Sequence, residues 1–352
     1  MESQTLTYRF RLRDKHAREL QRQTRAVNFV WNYCNEVQRK AAKERRRWLS
    51  GFDLCKLTGQ TSKELGLHAH TIQAVAKQYA RSRDQHKRPW LRWRGRKSLG
   101  WVPFNTETVR VKGKAFVFRG ISYSPMHWRA IPPGAKLGAG SFAQDSRGRW
   151  YINLPVKIPV ASAHATPAEA VGIDLGLKSL AVTSDGEAIE NHRHYRAAET
   201  ALAVAQRARK KKWVKAIHAK VANQRRDHLH KTSDRLARAY ALIAVGDVSS
   251  SRLAKTRMAK SVLDAGWSEL CNMLSYKAIR HGGKCVVVDE KFSTQTCSRT
   301  GMRPEGRPRG IAGLGIREWH CEACGELHDR DINAARNILR AGMRTLVEGA
   351  PL

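Results

Sequence analysis

The 352-residue chain lacks any long apolar run and any N-terminal signal peptide. Neither a membrane-spanning nor an exported protein is expected. Acids are scarce: 30 Asp and Glu stand against 65 Lys and Arg, a formal net charge of +35. A surplus this large points to a polyanionic partner rather than to a solvated basic face alone. Cysteine is also sparse, with seven residues, odd in number and unevenly spread. That excludes a disulfide framework and fits a cytosolic protein. Cys34, Cys55, Cys271 and Cys285 sit among apolar residues as core thiols, whereas Cys297, Cys321 and Cys324 sit in a Gly-rich polar stretch as candidate ligands. No internal repeat is present, and nothing reads as a helix-turn-helix.

What is present suffices for two or three domains with real cores. Thr5–Leu12 alternates with period two and predicts a strand. A helical region follows from about Lys15 to Gln85, with Val27, Val30, Trp31 and Cys34 at core-facing spacing and Gly51, Gly59 and Gly66 as breaks. From Trp90 to Pro159 short alternating strands are joined by hairpin turns at Lys112-Gly113-Lys114 and Arg147-Gly148-Arg149. The expected arrangement is a small β-barrel into which the helical region is inserted. Pro159–Pro167 reads as a linker. Beyond it strand and helix signals alternate, the pattern of an α/β layer fold, with a long helix pair over Tyr195–Tyr240.

Two stretches concentrate positive charge. Between Glu199 and Asp227 no acid occurs, and the nine bases are Arg207, Arg209, Lys210, Lys211, Lys212, Lys215, Lys220, Arg225 and Arg226. Contact with a phosphate backbone is the expected use of such a run. In the second, Lys87, Arg88, Arg92 and Arg94 alternate with Trp90 and Trp93, and Trp101 follows. Either the indoles stack on bases or ribose, or they anchor the first strands of the barrel.

Chemistry-bearing acids fall at three places. Val171-Gly-Ile-Asp174-Leu-Gly176 is a strand ending in an acid. Ala241-Leu-Ile-Ala-Val-Gly246-Asp247 is a buried strand. Asp329-Arg-Asp331-Ile-Asn333-Ala-Ala335 opens the last helix. Ala334 and Ala335 let that helix lie close on the sheet, bringing Asp331 to the end that carries Asp174; capping that helix is its alternative role. This order is the skeleton of an RNase H-type, metal-dependent nuclease core.

The chain resembles the TnpB family, also called OrfB, encoded by small bacterial insertion sequences and related to type V CRISPR effectors. The resemblance rests on Gly172-Ile-Asp174-Leu-Gly176, Leu263-Asp-Ala-Gly266-Trp267, Leu274-Ser-Tyr276-Lys277, Ser293-Thr-Gln295-Thr-Cys297, Cys321-Glu-Ala-Cys324-Gly325 and Asp329–Ala335. It is dense in the C-terminal half, while the N-terminal half matches in layout only. The resemblance implies an RNA-guided DNA endonuclease with a RuvC site of three acids and two Mg²⁺ ions. It implies a β-barrel wedge domain over 1–12 and 90–160 and a helical recognition lobe over 13–89. It further implies a RuvC-like nuclease domain over 168–292 and 329–345, a zinc-finger-like, target-binding insert over 293–328, and a tail over 346–352. Asp174 and Asp331 match the first and third acids. The second position, usually Glu, is Gly246.

Four acids are candidates to replace it. Asp247 is adjacent, but successive strand side chains face opposite ways, so it would need a bulge. Asp264 and Glu269 read as surface residues of a helix whose core stripe is Leu263, Trp267, Leu270 and Leu274. Glu290 follows the strand Lys284–Asp289, which in an RNase H-like sheet lies beside the Gly246 strand and parallel to it. A displacement of one strand spacing, roughly 4.8 Å, is within reach of a Glu side chain. Glu290 is therefore the expected replacement, with an ordinary loop acid as its plainer alternative.

The family also carries two Cys-x-x-Cys knuckles for a structural zinc. Cys321 and Cys324 keep the second. In the first, Cys297-Ser-Arg-Thr300, Thr stands at the second ligand position. His328 or His320 could complete the set, or the metal is lost and packing holds the loop.

The reading is an Mg²⁺-dependent DNA endonuclease, with Asp174, Glu290 and Asp331 holding two metals. Its partners would be a guide RNA from the transposon end and a double-stranded DNA target. It would be a bacterial or archaeal cytoplasmic, nucleoid-associated protein. The alternatives are a nuclease-inactive, RNA-guided repressor and a transposase acting directly on its own element ends.

Overall fold

The computed structural model describes residues 3–45, 47–159, 169–308 and 312–347. Most of the stretch read as a linker, and 348–352 of the expected tail, lie outside them. The chain divides into two compact units, 1–159 and 160–352.

The first unit opens with β1 (Ser3–Arg11), in which Tyr8 and Phe10 turn inward as the alternation predicts. Helices α1 (Ala17–Lys43), α2 (Gly51–Leu57), α3 (Ser62–Leu65) and α4 (Ala69–Gln85) follow. Val27, Val30 and Cys34 of α1 are buried. Then come β2 (Trp101–Phe104), β3 (Val109–Lys112), β4 (Ala115–Phe118), β5 (Ile121–Tyr123), β6 (Lys136–Leu137), β7 (Gly140–Gln144) and β8 (Trp150–Pro159). The strands do not close into the expected barrel. They form an open sheet, β1-β8-β7-β2 with β6 also on β8, and a separate three-stranded sheet, β3-β4-β5. Pro103 within β2 gives one reason: it has no N–H to offer a further strand, which suits an edge. Closure is replaced by cover. Phe104, Phe116, Phe118 and Phe142 share one core with Val27, Val30, Ile72 and Tyr79 of the helices.

The second unit begins with β9 (Ala170–Leu175), β10 (Ser179–Thr183) and β11 (Ala188–Glu190). The expected helix pair is α5 (His194–Arg207) and α6 (Lys211–Ala239), followed by β12 (Leu242–Gly246). Next are α7 (Ser250–Leu253), α8 (Ala259–Ala265), α9 (Trp267–Arg280), β13 (Lys284–Val288), β14 (Glu318–His320), β15 (Leu327–Asp329) and α10 (Arg330–Val347). The main sheet runs β11-β10-β9-β12-β13. β12 is parallel to both β9 and β13, and Gly246 pairs with Val288.

Alternation sorts this sheet's faces. Val171, Ile173, Ile243 and Val245 pack with α6 and α9, whereas Ala244, Val286 and Val288 pack with Ile338 of α10. Gly172 belongs to the α10 face, where a Cβ would stand 2.0 Å from the Ala335 carbonyl oxygen, so only glycine admits the helix. Lys277 of α9 is buried, and its ammonium donates to the His230 carbonyl at 2.5 Å and the Ser233 hydroxyl at 2.9 Å. A buried charge persists only with such partners, and these tie α9 to α6.

One helix differs from expectation. Gly266 adopts a left-handed conformation (φ 72°) and separates α8 from α9, so Leu263 and Trp267 do not share a stripe. Leu263 is 62 % exposed, and Asp264, expected at the surface, is 7 % exposed. Its carboxylate accepts from the backbone N–H of Tyr195 at 2.8 and 2.9 Å, within the first turn of α5.

Candidate functional site

The two-residue period carries three side chains to one place. Asp174 lies two residues beyond Gly172 on β9, and Glu290 lies two residues beyond Val288 of β13. Gly172 and Val288 both face α10. Asp331 joins from the first turn of α10. Capping of that helix falls not to Asp331 but to Asp329, whose carboxylate accepts from the N–H groups of Asp331 and Ile332 at 2.9 Å each. Asp174, Glu290 and Asp331 line one cleft of about 450 Å³ together with Arg317, Arg330 and Lys178.

Gly246 faces the same side. A Cβ built on it would lie 2.9 Å from Glu290 Oε2, 2.9 Å from Ile338 Cδ1 and 3.2 Å from Glu290 Cβ. The Glu290 side chain thus occupies the space in front of Gly246. Asp247 does not line the cleft. It is exposed, its N–H continues the ladder to the Val288 carbonyl at 2.8 Å, and no bulge turns it inward. Glu269 pairs with Arg226 at 2.8 Å, and Asp264 serves α5.

The electrostatics of this cluster suit a cation. Burial first, then the charges of Asp331 and Glu290, push the Asp174 carboxyl up to about 8, while Arg330 and Arg317 pull it back. Burial, then Asp247 and Asp289, raise Glu290 as well. Carboxylate oxygens are the donor type that hard divalent ions take, and these three line one cleft without all lying within 4.8 Å of one another. Asp331 is held meanwhile by Arg317, whose Nη1 donates at 3.0 and 3.2 Å. Arg317 was not legible as a site residue, because it comes from a loop with no periodic signal.

The cysteine cluster is compact. The donor atoms of Cys297, Cys321, Cys324 and His328 all lie within 4.8 Å of one another and could hold a metal such as zinc. Cys297 Sγ is 3.1 Å from His328 Nε2. His328 comes from β15; His320 is exposed and outside the cluster. Burial opposes ionisation of Cys297, but donors from Thr300 and Arg299 bring its thiol down to about 6. Thr300, at the degraded position, therefore contributes a hydrogen bond to the sulfur. The loop is tied to α10 by two asparagines. Asn333 donates to the Thr296 carbonyl at 2.8 Å and accepts from the Ser298 N–H at 2.8 Å, and Asn337 donates to the carbonyls of Ser293 and Thr296. Asn333 belongs to the Asp329–Ala335 motif, but its partners are distant in sequence.

The basic residues divide by environment. Arg207, Arg209, Lys210, Lys211, Lys212 and Lys215 are exposed around the α5–α6 turn. Arg225 approaches Asp264 at 4.0 Å, and Arg226 pairs with Glu269, so both have partners within the fold. In the first unit the 91–94 backbone is clamped to α1. The Asn35 amide bonds both backbone groups of Leu91, at 2.8 and 3.0 Å, and Asn32 does the same for Arg94, at 2.8 Å each. Lys87, Arg88 and Arg92 are exposed, as are Trp90 (41 %) and Trp93 (50 %), while Trp101 packs on the core. Arg94 turns inward to Asn28 and the Leu99 carbonyl.

Comparison with known proteins gives two family matches. One described as "Cas12f1-like, TNB domain" covers 267–338, and one described as "Probable transposase" (OrfB) covers 153–257. A Streptomyces pristinaespiralis protein named "Putative RNA-guided DNA endonuclease" is 33% identical over 96% of this chain and 88% of its own length. An Escherichia coli K12 protein of the same name, InsQ, is 30% identical over 58% of this chain and 57% of its own. The Sulfoacidibacillus thermotolerans CRISPR-associated endodeoxyribonuclease Cas12f1 is 24% identical over 55% and 50%. Among solved structures, a Cas12f1–sgRNA–target DNA complex matches with a TM-score of 0.59 at 13% identity, over 93% of this chain and 83% of that one, a likeness of fold.

Proposed function

Because this chain belongs to the TnpB (OrfB) family, which is related to Cas12f, we propose that it is an RNA-guided DNA endonuclease of a transposable element. A guide RNA from the transposon end would choose the target by base pairing, and the protein would read a short motif beside it in duplex DNA. The net charge of +35 and the exposed bases near the α5–α6 turn and at Lys87–Arg92 support contact with both polyanions. In this reading 1–12 and 90–160 form the wedge, 13–89 the recognition lobe, 168–292 with 329–345 the nuclease, and 293–328 a zinc-held insert.

Asp174, Glu290 and Asp331 would hold two Mg²⁺ ions. When bound, these would activate the attacking water and stabilise the leaving oxygen of the phosphodiester. The chain's own residues set the stage. Gly246 leaves room for Glu290, Gly172 seats α10 so that Asp331 lines the same cleft as Asp174, and Arg317 donates to the Asp331 carboxylate. The single observation that carries the reading is the Glu290 carboxylate lying 2.9 Å from where a Gly246 Cβ would stand. It supports relocation of the second acid rather than its loss.

The test is plasmid cleavage with Mg²⁺ by the protein copurified with its RNA. Wild type is expected to cut. Asp174→Ala and Glu290→Ala are expected to abolish cutting while target binding persists. Gly246→Ala, whose methyl displaces Glu290, is expected to slow cutting at least about tenfold, the rate equivalent of 1.4 kcal/mol. Cutting by Glu290→Ala would defeat the assignment. Target binding without cutting by wild type would support the repressor reading, which Gly246 and Thr300 favour. Binding that survives RNase treatment would point instead to a transposase reading its own ends.

A further inference from the structure

We infer that Phe292 is a stacking platform for one unpaired base of the displaced DNA strand, set at the rim of the carboxylate cleft. The inference rests on the nuclease reading for the identity of that strand.

Phe292 stands in the chain between Glu290 and Ser293, which both line the cleft. The Ser293 N–H donates to the Glu290 carbonyl at 2.9 Å and closes a four-residue turn with Phe292 as its third residue. Phe292 has a φ of 65°. A positive φ at that turn position favours Gly or Asn, and the left-handed region is strained for a bulky side chain. Among the described residues the other non-glycine positions of positive φ hold Arg, Lys or Gln, so Phe292 is the one aromatic. The conformation is held from both sides. The N–H groups of Gln295 and Thr296 donate to the Phe292 carbonyl at 2.9 and 3.0 Å, and the Asn337 side chain donates to the Ser293 carbonyl at 2.8 Å. Strain of this kind persists only where the surroundings over-determine it, and it gathers at functional positions.

The strain does not serve packing. The ring is 41 % exposed and joins no hydrophobic core among the described residues. Two exposed cations attend it instead. The Arg303 guanidinium carbon lies 4.4 Å from the ring centroid, and Lys291 Nζ lies 5.2 Å from it. An open aromatic ring with cations beside it is the combination that holds single-stranded nucleic acid: the ring takes a base and the cations take neighbouring phosphates. The cleft itself is lined by Asp174, Glu290 and Asp331, whose charges repel a phosphate backbone, so a strand needs a hold at the rim. Paired bases are already stacked on one another, and only an unpaired base can turn onto the ring. Pairing of the guide with one strand leaves the other unpaired, which makes the displaced strand the occupant.

The experiment uses the protein copurified with its RNA and a matched duplex carrying 2-aminopurine in the displaced strand, moved one position at a time past the cut. With Ca²⁺ in place of Mg²⁺ to hold back cutting, fluorescence at one position should be quenched by wild type and by Phe292→Tyr, and not by Phe292→Gly. With Mg²⁺ and subsaturating protein, Phe292→Gly should cut about fivefold more slowly or worse, the low end for loss of one base–aromatic stack. An abasic nucleotide at the quenched position should slow wild type by a similar factor and Phe292→Gly no further. The melting temperature of Phe292→Gly should equal or exceed that of wild type, because glycine relieves the turn. Quenching that depends on Phe292 in a wild type that does not cut would keep the stack and remove the nuclease reading. No Phe292-dependent quenching at any position would overturn the inference whether or not wild type cuts. A lower melting temperature with equal slowing on intact and abasic substrates would make Phe292 a structural anchor and overturn it too.

Discussion

At the scale of single residues the carboxylate cluster makes a signed prediction about pH. Asp174 is pushed from an ordinary 3.8 to about 8, chiefly by burial and then by Asp331 and Glu290. Without a cation the folded chain therefore binds a proton that the unfolded chain has released. The stability this contributes is full below about pH 4 and is lost as pH rises toward 8. In Mg²⁺-free buffer the melting temperature should fall over that interval. Asp174→Asn, which cannot ionise, should melt several degrees higher than wild type at pH 8 and near it at pH 4, because 1 kcal/mol shifts a domain of this size by about 2–4 °C. Equal pH dependence in the two proteins, followed by thermal melts, would show that Asp174 does not carry the strain.

At the scale of elements the informative case is Asp264, which satisfies backbone donors of α5 from α8. Asp264→Ala should cost about 1–2 kcal/mol, the usual loss for a helix-capping carboxylate, and Asp264→Asn should restore part of it; urea denaturation measures both. This role was not legible beforehand. A single helical phase drawn through Leu263 and Trp267 put Asp264 outside, and the left-handed Gly266 resets that phase. Where periodicity acts alone, sequence reading was sufficient for the existence of β9, β12 and β13, the helix pair and the hairpin glycines, whereas the parallel pairing of β12 with β13 was expected from the likeness to an RNase H-type sheet. Closure of the first unit's sheet was not, because an edge is decided by which strands fail to meet, a non-local matter. The asparagine ties between the cysteine loop and α10 escaped for the same reason.

At the scale of the molecule the excess of 35 positive charges should govern binding to nucleic acid more than any one side chain does. Affinity for single-stranded RNA should fall steeply with salt. Replacing Lys210, Lys211 and Lys212 by Ala should reduce the slope of log K against log salt by about 0.7 for each phosphate that is no longer neutralised. Arg226→Ala, which breaks a pair with Glu269, should change the slope little. Filter binding over a salt series separates the two, and equal slopes for the triple variant and wild type would remove the α5–α6 turn from the binding surface.

The crowding of Glu290 against Gly246 also bears on ancestry. A carboxyl side chain at 246 and Glu290 in its present rotamer exclude each other. If, as proposed, the acid moved from 246 to 290, a single substitution would not retrace the exchange, since an acid at 246 would crowd Glu290 instead of replacing it. The pair behaves as a ratchet, and descendants of such a chain should keep both positions or lose both.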